Sequence, residues 1–334
     1  MRSLRYRDVT SAAGRLTTLG LAAGLLLAFG ASLPATAQPA TAPSDSAAIS
    51  ADRLMATVRE LSSSDYAGRE VGTPGGMKAR AWIRDRFEAA GLRPIGGSFE
   101  QAFSFTPAES AAGAAAMPSV NGVNLVGRCT GRQPSRPAIV VSAHYDHLGV
   151  RDGRTFPGAD DNASGVAVLL ELAGACVAAP FDHDLIFVAF DAEERNLQGA
   201  RAFVALPPVP RGRLALDVNL DMVARGDTNE LYIAGLRYAP ALRPLLEPVA
   251  AGAPIAVRFG HDTPGSGHDD WTDQSDHGVF HEAGIPFVYF GVEDHPDYHQ
   301  PTDTAGKIDP TFFARAATVV LNSLRALDQG LRQP

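Results

Sequence analysis

The chain has 334 residues, of which 45% are hydrophobic and 20% charged, and it carries a formal net charge of −8. This composition is typical of a globular protein, and the negative charge argues against nucleic acids and anionic lipid surfaces as partners. The two cysteines, Cys129 and Cys176, are too few for a zinc site made of thiolates alone. Any bound metal would therefore be held by histidines and carboxylates.

The first 37 residues have the pattern of a secretory signal peptide. Four arginines within the first fifteen residues precede an apolar stretch over 16–33, and Ala35-Thr36-Ala37 is a small-residue cleavage site. An uncleaved membrane anchor is the alternative, because the apolar stretch is about 18 residues long. We expect cleavage after Ala37, which predicts an exported protein, periplasmic or secreted, without stable membrane association.

Residues 38–48 are rich in Ala, Pro, Ser and Thr, which is typical of a disordered tether. The folded domain is then expected over 49–334, beginning with a helix capped by Ser50. A glycine-rich loop between Tyr66 and Gly76 separates this helix from a second one predicted over 77–90. Because the loop lacks the Lys-Ser/Thr ending of a phosphate-binding loop, we interpret it as a structural connection.

Seven apolar segments predict β-strands. They lie at 99–105, 123–126, 138–143, Leu185–Phe190, Leu214–Leu220, 231–234 and 286–290. Two further helices are predicted, one over 166–177 and one capped by Asp309 ahead of Pro310. Strands that are apolar throughout and separated by helices indicate a mostly parallel sheet. The sequence therefore predicts a single α/β domain with helices on both faces of its central sheet.

Polar residues with metal-binding side chains follow these strands or stand in the loops that leave them. They are His144, Asp161, Glu193, Glu194, Asp221 and His299. In open parallel sheets, ligands bind beyond the carboxyl ends of the strands, so these residues are expected to meet in one crevice. Histidine and carboxylate ligands suit Zn²⁺, with Mn²⁺ or Co²⁺ as substitutes. Asp146 is suitably placed to accept the second imidazole N–H of His144.

The segment Asp191-Ala192-Glu193-Glu194 directly follows the predicted strand Leu185–Phe190. Two adjacent carboxylates beside a buried strand must be compensated by water or by a cation. One glutamate could bind a metal while its neighbour takes a proton from water activated by that metal. Alone, however, the segment fits a solvated acidic loop as well.

Five motifs occur in the order known from one enzyme family. They are Ala143-His144-Tyr145-Asp146-His147, Gly158-Ala159-Asp160-Asp161-Asn162-Ala163-Ser164-Gly165, Asp191-Ala192-Glu193-Glu194, Asn219-Leu220-Asp221 and Tyr298-His299. With these motifs and the glycine-rich loop, the sequence resembles the co-catalytic dizinc aminopeptidases, family twenty-eight of the metallopeptidases, which also contains glutamate carboxypeptidase relatives. The resemblance runs from about Leu54 to the C-terminal helix and implies a zinc exopeptidase fold. The protease-associated insert that this family often carries is absent, because only a short segment separates Phe105 from Val123.

The resemblance implies two Zn²⁺ ions per chain, bridged by Asp161. His144 and Asp221 would complete one site, and Glu194 and His299 the other.

Within the pair Asp160-Asp161, the resemblance assigns Asp161 as the ligand, because the family's ligand stands third after the glycine, here Gly158. Asp160 is then expected to be a solvated or cap-related neighbour.

The resemblance also implies roles for residues that do not bind metal. Glu193 would be the general base and would later return the proton to the leaving amine. The hydroxyl of Tyr298 would stabilise the oxyanion, or its ring would pack beside the ligand. Asp146 and Asp191 would orient the residues that touch metal or substrate.

These observations predict an exported zinc-dependent exopeptidase acting on peptides, and specifically an aminopeptidase. A carboxypeptidase or dipeptidase is the alternative with the same chemistry, and a glutaminyl cyclase is the alternative with the same fold. The complete ligand set, which includes His144, favours two metals over the single metal of a cyclase. From another functional class, a non-catalytic metal-binding protein would be expected to have lost ligands or the base, which this chain retains.

Several other histidines and acids have two interpretations. Residues 261–281 contain four histidines and five aspartates and are expected to form a solvated rim, with binding of a further cation such as Ca²⁺ as the alternative. Within this segment, Asp276 is expected near the site. His147 either lines the site or belongs to a loop, and His183 and His295 are expected in surface loops. Cys129 and Cys176 either form a disulfide or leave Cys176 on an apolar helix face.

Overall fold

A nine-stranded mixed sheet lies at the centre of the fold. The computed structural model describes residues 48–107 and 118–331, which all belong to one unit spanning Pro43–Pro334. The predicted signal peptide and residues 38–47 of the predicted tether lie outside the described residues.

Eleven strands occur in the described part of the chain. In chain order they are β1 (Arg93–Pro94), β2 (Glu100–Phe105), β3 (Val120–Cys129), β4 (Ala138–His144), β5 (Val150–Arg151), β6 (Arg154–Thr155), β7 (Leu185–Phe190), β8 (Leu214–Leu220), β9 (Glu230–Ala234), β10 (Ala256–Phe259) and β11 (Phe287–Gly291). The central sheet has the order β1-β3-β7-β4-β8-β11-β9-β10, with β2 also paired to β3, while β5 and β6 form a separate two-stranded sheet.

The four strands at the middle of the sheet are parallel to one another. β4 pairs in parallel with both β7 and β8, and β8 pairs in parallel with β11. Antiparallel pairing occurs farther out, between β3 and β7 and between β9 and β11. The predicted mostly parallel sheet is therefore confirmed for its centre, where every residue of β4 and β7 is buried.

Seven α-helices pack around the sheet in the described residues. They are α1 (Ala51–Leu61), α2 (Pro74–Ala89), α3 (Gly165–Ala178), α4 (Gln198–Ala205), α5 (Arg243–Ala251), α6 (His277–Glu282) and α7 (Pro310–Gly330). The predicted caps are present, because Ser50 Oγ accepts the backbone N–H of Arg53 and Asp309 accepts that of Thr311. Residues 159–178 are long and apolar enough to span a membrane, but 72% of the apolar 18-residue window within them is buried, as in the core helix of a globular protein.

Alternate residues of β7 show that both faces of the sheet are covered. Leu185, Phe187 and Ala189 belong to the larger hydrophobic core, which also contains residues of α1, α3 and α7. Ile186 and Val188 point to the opposite face and belong to the core that contains residues of α4 and α6. This alternation is the period-two pattern of a strand, and it confirms the predicted three-layer α/β domain.

Two of the elements that the sequence did not predict have weak or conflicting signals. α5 contains Pro248 in its interior, a residue that normally ends or bends a helix. β10 is only four residues long and has no buried residue, so it lacks the apolar run of the inner strands.

A disulfide joins Cys129 at the end of β3 to Cys176 in α3. Both residues are buried, so the bond ties the sheet to its central helix. The pairing resolves the two interpretations of Cys176 in favour of the disulfide.

Candidate metal centre

The predicted ligands lie at the carboxyl ends of adjacent parallel strands. His144 is the last residue of β4, Glu193 and Glu194 follow β7, and Asp221 follows β8. Because β4 has β7 on one side and β8 on the other, the loops leaving these strands converge at one edge of the sheet. His299 comes from the loop after β11, the next strand outward.

Asp161 lies between two groups of side chains. Its Oδ1 atom is 3.3 Å from Nε2 of His144, and the same nitrogen is 3.3 Å from Oδ1 of Asp221. Its Oδ2 atom is 3.0 Å from Nε2 of His299, which is 3.5 Å from Oε2 of Glu194. Each oxygen of Asp161 therefore faces a different histidine and a different carboxylate, which is the arrangement of a bridging ligand.

These separations match the geometry that zinc requires. With metal–ligand bonds of about 2.0–2.1 Å, neighbouring donors of a tetrahedral zinc site lie about 3.3 Å apart. In addition, Oδ1 of Asp221 is buried without a hydrogen-bond partner among the described residues. This is expected of an oxygen that binds a cation. The residues present therefore fit the two metal positions implied by the sequence.

The charges of the site also call for cations. Burial acts to raise the pKa of Asp161, yet His147, His144 and His299 together hold that pKa well below its usual range. Burial acts to lower the pKa of His144, but Asp221 and Glu193 raise it well above its ordinary value. Without a metal, therefore, protons on His144 and His299 compensate the carboxylates, and a divalent cation could take their place.

Glu193 differs from its neighbour in its surroundings. Burial, reinforced by Glu194, Asp276 and Asp221, raises the pKa of Glu193 well above its ordinary value, although His144 opposes this. For Glu194, burial is outweighed by His147 and His299, which lower the pKa to about 2. Two adjacent glutamates thus have opposite proton affinities, as expected of a base beside a ligand.

Asp146 contacts the site in a different way from the one predicted. Nδ1 of His144 lies 3.1 Å from the backbone carbonyl oxygen of Asp146 and 3.7 Å from its carboxylate. The carboxylate instead accepts the backbone N–H groups of Glu193 at 3.0 Å and Glu194 at 3.4 Å. The carbonyl therefore orients the imidazole, and the carboxylate joins the loop after β4 to the loop after β7.

Asp191 anchors the start of the acidic segment. Its carboxylate accepts the backbone N–H groups of Val123 at 2.9 Å and Ala192 at 3.0 Å. Burial, with a contribution from Asp146, raises its pKa to about 7. Ala192 has a left-handed backbone conformation, with φ of 58°, which is uncommon for a residue other than glycine. Together these features fix the turn that carries Glu193.

Tyr298 lies beside the predicted ligand that follows it, His299. Its ring stacks on that of His299, with centroids 4.0 Å apart and an interplanar angle of 24°. Burial and the nearby carboxylates, Asp161 foremost, raise the pKa of the phenol far above its ordinary value. The hydroxyl therefore keeps its proton and is available as a hydrogen-bond donor in the cavity.

Three residues of the centre were not assigned to it from the sequence, namely Asp160, His295 and Asp303. For His147 the sequence left two alternatives open, lining the site or belonging to a loop. His147 is buried, and its Nδ1 atom lies 2.7 Å from Oε1 of Glu194 and 3.7 Å from Oδ2 of Asp161. It therefore lines the site rather than belonging to an outer loop, and together with Asp161 and Glu194 it has the spacing of a metal-binding group.

The predicted exposure of three residues was wrong. Asp160 is completely buried and binds His295, which is also buried. His183 is buried as well, and its Nδ1 atom lies 2.8 Å from Asp328 in α7. In each case a polar partner distant in the sequence compensates the burial, and no local pattern reports such a partner.

A cavity of about 290 Å³ opens over the ligand groups. Its remaining walls combine apolar, acidic and neutral polar residues and include Leu197, Met222, Trp271, Asp273, Gln274 and Asp294. The 261–281 segment contributes to this wall, because His261 stacks on Trp271 at 3.7 Å and His268 lies 3.2 Å from Asp294. Two groups in the described residues have metal-binding spacing, His144 with Glu193 and Asp221 and His147 with Asp161 and Glu194. Neither includes a member of the 261–281 segment.

Asp276 lies in the same region but faces inward. It is completely buried, and neither of its carboxylate oxygens has a hydrogen-bond partner among the described residues. Burial, together with Asp146, Asp221 and Asp217, raises its pKa well above the ordinary value, although His144 opposes this. A neutral carboxylic acid beneath the centre is the state that these surroundings favour.

Known proteins resemble the chain in sequence and in fold. Residues 124–324 match peptidase family M28. Aminopeptidase YwaD of Bacillus subtilis (strain 168) is 31% identical over 211 residues, which are 59% of this chain and 43% of that protein. The chain therefore spans less than half the length of this relative.

Two solved structures share the fold over most of their length. The aminopeptidase from Aneurinibacillus sp. strain AM-1 has a TM-score of 0.65 at 19% identity, covering 84% of this chain and 94% of that one. The glutaminyl cyclase of Fimbriiglobus ruber has a TM-score of 0.63 at 24% identity, covering 87% of this chain and 99% of that one. At these identities the likeness is one of fold, and it is shared by two different activities.

Proposed function

Since the chain belongs to peptidase family M28, we propose that it is a zinc-dependent aminopeptidase that releases N-terminal residues from peptides after export. The observation that carries the proposal is the placement of Asp161, whose two oxygens face separate histidine–carboxylate pairs beside Glu193. The cavity above the site, about 290 Å³ in volume, is at the small end of ligand pockets.

His144, Asp161 and Asp221 would hold one Zn²⁺, and Asp161, Glu194 and His299 the other. When bound, zinc lowers the pKa of water and polarises a carbonyl oxygen. Mn²⁺ or Co²⁺ could substitute, because the donors are nitrogen and oxygen.

Glu193 takes a proton from the attacking water as the water oxygen bonds to the scissile carbonyl carbon. It then transfers this proton to the leaving nitrogen as the C–N bond breaks. Its buried position favours this role, since a raised pKa makes a carboxylate a stronger base. The hydroxyl of Tyr298 donates a hydrogen bond to the carbonyl oxygen as negative charge develops there.

Peptides with free and blocked ends test this proposal. The purified chain is stripped with a chelator, reloaded with Zn²⁺ and given three versions of one short peptide: unmodified, N-acetylated and C-amidated. We expect hydrolysis to return with about two zinc ions per chain, to be abolished by acetylation and to survive amidation. The reverse pattern for the two blocked peptides would identify a carboxypeptidase.

A fourth substrate addresses the glutaminyl cyclase alternative. A peptide beginning with glutamine would release ammonia without loss of its first residue if the chain were a cyclase. An aminopeptidase would instead release free glutamine. A chain that binds zinc and acts on none of the four peptides would be the non-catalytic alternative.

Export is supported by the leader-like N terminus and by the disulfide between Cys129 and Cys176, because such bonds persist in oxidising compartments. Determining the N-terminal sequence of the protein recovered from the periplasm or medium tests it. We expect the mature chain to begin at Gln38. Recovery of the protein only in the membrane fraction with Met1 or Arg2 first would favour the uncleaved anchor.

A further inference from the structure

The backbone that carries Asp161 is held by a second buried carboxylate, that of Asp303. Oδ1 and Oδ2 of Asp303 lie 3.1 and 3.0 Å from the backbone nitrogen of Asp160, and Oδ2 lies 3.1 Å from that of Asp161. The backbone carbonyl of Asp303 accepts the N–H of Ala159 at 3.3 Å. One completely buried residue thus binds three consecutive N–H groups at the bridging ligand.

Asp160 connects the same segment to the two other loops of the centre. Its Oδ1 atom accepts the backbone N–H of Ala224 at 2.9 Å, three residues after Asp221. Its Oδ2 atom lies 3.1 Å from Nε2 of His295, four residues before His299. The side chain of Asp160 therefore links the loops that carry Asp161, Asp221 and His299.

We propose that Asp160 and Asp303 are positioning residues for metal binding, which fix Asp161 so that each of its oxygens faces one ligand group. The proposal rests on the metal centre proposed above. A bridging carboxylate must contact two ions at once. A rotation of the peptide that carries it therefore displaces both of its oxygens from the positions that the ions require. Residues that hold such a ligand usually change metal affinity by about 10- to 100-fold when altered.

The alternative is that these carboxylates only stabilise the fold, and the chain contains a matched control for it. Asp328 in α7 is also buried, and its carboxylate accepts two consecutive backbone N–H groups, those of Asp182 and His183, at 2.9–3.0 Å. None of these three residues belongs to the ligand groups. Asp328→Asn therefore disturbs the same kind of interaction away from the centre.

Zinc binding by the full chain distinguishes the two roles. Asp303→Asn, Asp160→Asn and Asp328→Asn are each dialysed against zinc buffered by a chelator, and the bound metal is counted over a range of free zinc. We expect at least one of the two zinc ions to bind about 10- to 100-fold more weakly in Asp303→Asn and Asp160→Asn. In Asp328→Asn both ions should bind with the affinity of the unaltered chain.

Circular dichroism of each metal-free variant checks that it is folded. If Asp303→Asn does not fold, zinc binding by Asp160→Asn decides. This variant should fold, because the asparagine oxygen can still accept the N–H of Ala224, and it removes only the carboxylate oxygen that meets His295. Unchanged zinc affinity in the folded variants, or an equal loss in Asp328→Asn, would overturn the proposal. An unaltered chain that binds no zinc would instead overturn the proposed function, so the two failures are distinguishable.

Discussion

The backbone N–H of Glu193 donates a hydrogen bond to the carboxylate of Asp146 over 3.0 Å. This bond joins the loop after β4 to the loop after β7, and so holds the proposed base at a fixed distance from the proposed ligand His144. Nε2 of His144 lies 4.0 Å from Oε2 of Glu193. The proposed base is thus held beside the proposed metal site by its own backbone N–H.

Replacing the proposed base should separate catalysis from metal binding. Glu193→Gln keeps the size of the side chain but cannot accept a proton, and general base catalysis contributes about 10²- to 10⁴-fold to rate. We expect kcat to fall by at least about 100-fold while zinc content stays at the level of the unaltered chain. Glu194→Gln is the matched variant and should lose zinc as well as activity. Full activity in Glu193→Gln would refute the assigned mechanism.

Arg69 should be more important for stability than an arginine at the surface. Its completely buried guanidinium donates to four backbone carbonyls, those of Leu61, Tyr145, Pro157 and Gly158. Lysine lacks the planar guanidinium that donates to all four carbonyls. Each buried acceptor left without a hydrogen bond lowers the free energy of unfolding by about 1–3 kcal/mol.

We therefore expect Arg69→Lys to lower the free energy of unfolding by about 3 kcal/mol or more, measured by urea denaturation. Arg84 is half-exposed and pairs with Asp85 at the surface, so Arg84→Lys serves as the control and should change stability little. Equal stability of the two variants would contradict the role of Arg69.

The disulfide should contribute strongly to stability. Cys129 and Cys176 are 47 residues apart in sequence, and a loop of that size corresponds to about 4 kcal/mol in the chain-entropy model. The double variant Cys129→Ala/Cys176→Ala should unfold at lower denaturant concentration than the oxidised chain. A reductant should destabilise the unaltered chain but leave the double variant unaffected, and equal sensitivity of both would argue against the bond.

Asp217 should make stability depend on pH. This residue of β8 is completely buried and accepts a hydrogen bond from Ser142 Oγ at 2.9 Å. Burial raises its pKa to about 8, although Ser142 opposes this. An unfolded aspartate ionises near pH 3.9, so between these values the folded chain holds a proton that the unfolded chain releases.

The stability supplied by this group is therefore fully present below about pH 4 and is lost as the pH rises towards 8, by about 1.4 kcal/mol per pH unit at most. Asp217→Asn cannot ionise and should gain stability relative to the unaltered chain over that window. Urea denaturation of both at pH 5 and pH 7.5, with the metal removed, measures the difference. The same difference at both pH values would show that Asp217 does not titrate in this way.

Much of the architecture could be predicted from local pattern. The inner strands are apolar runs, and burial on both faces is the reason for such runs, so β4, β7 and β8 were recognisable within a residue or two. The helix caps Ser50 and Asp309 were recognisable for the same reason, because a cap acts on the backbone two or three positions away. The antiparallel pairing of β3 with β7 was not predicted, since strand direction depends on partners far along the chain.

The sequence by itself determined the order of the motifs and the types of residue that can bind metal, because these are properties of short segments. Only the tertiary structure decided which polar residues are buried and what compensates them. Asp160 and Asp303 are 143 positions apart, and no local pattern indicates that the carboxylate of one binds the backbone of the other. Burial of a polar group is tolerated only where distant donors meet it, so its surroundings are a property of the fold rather than of its neighbours in sequence.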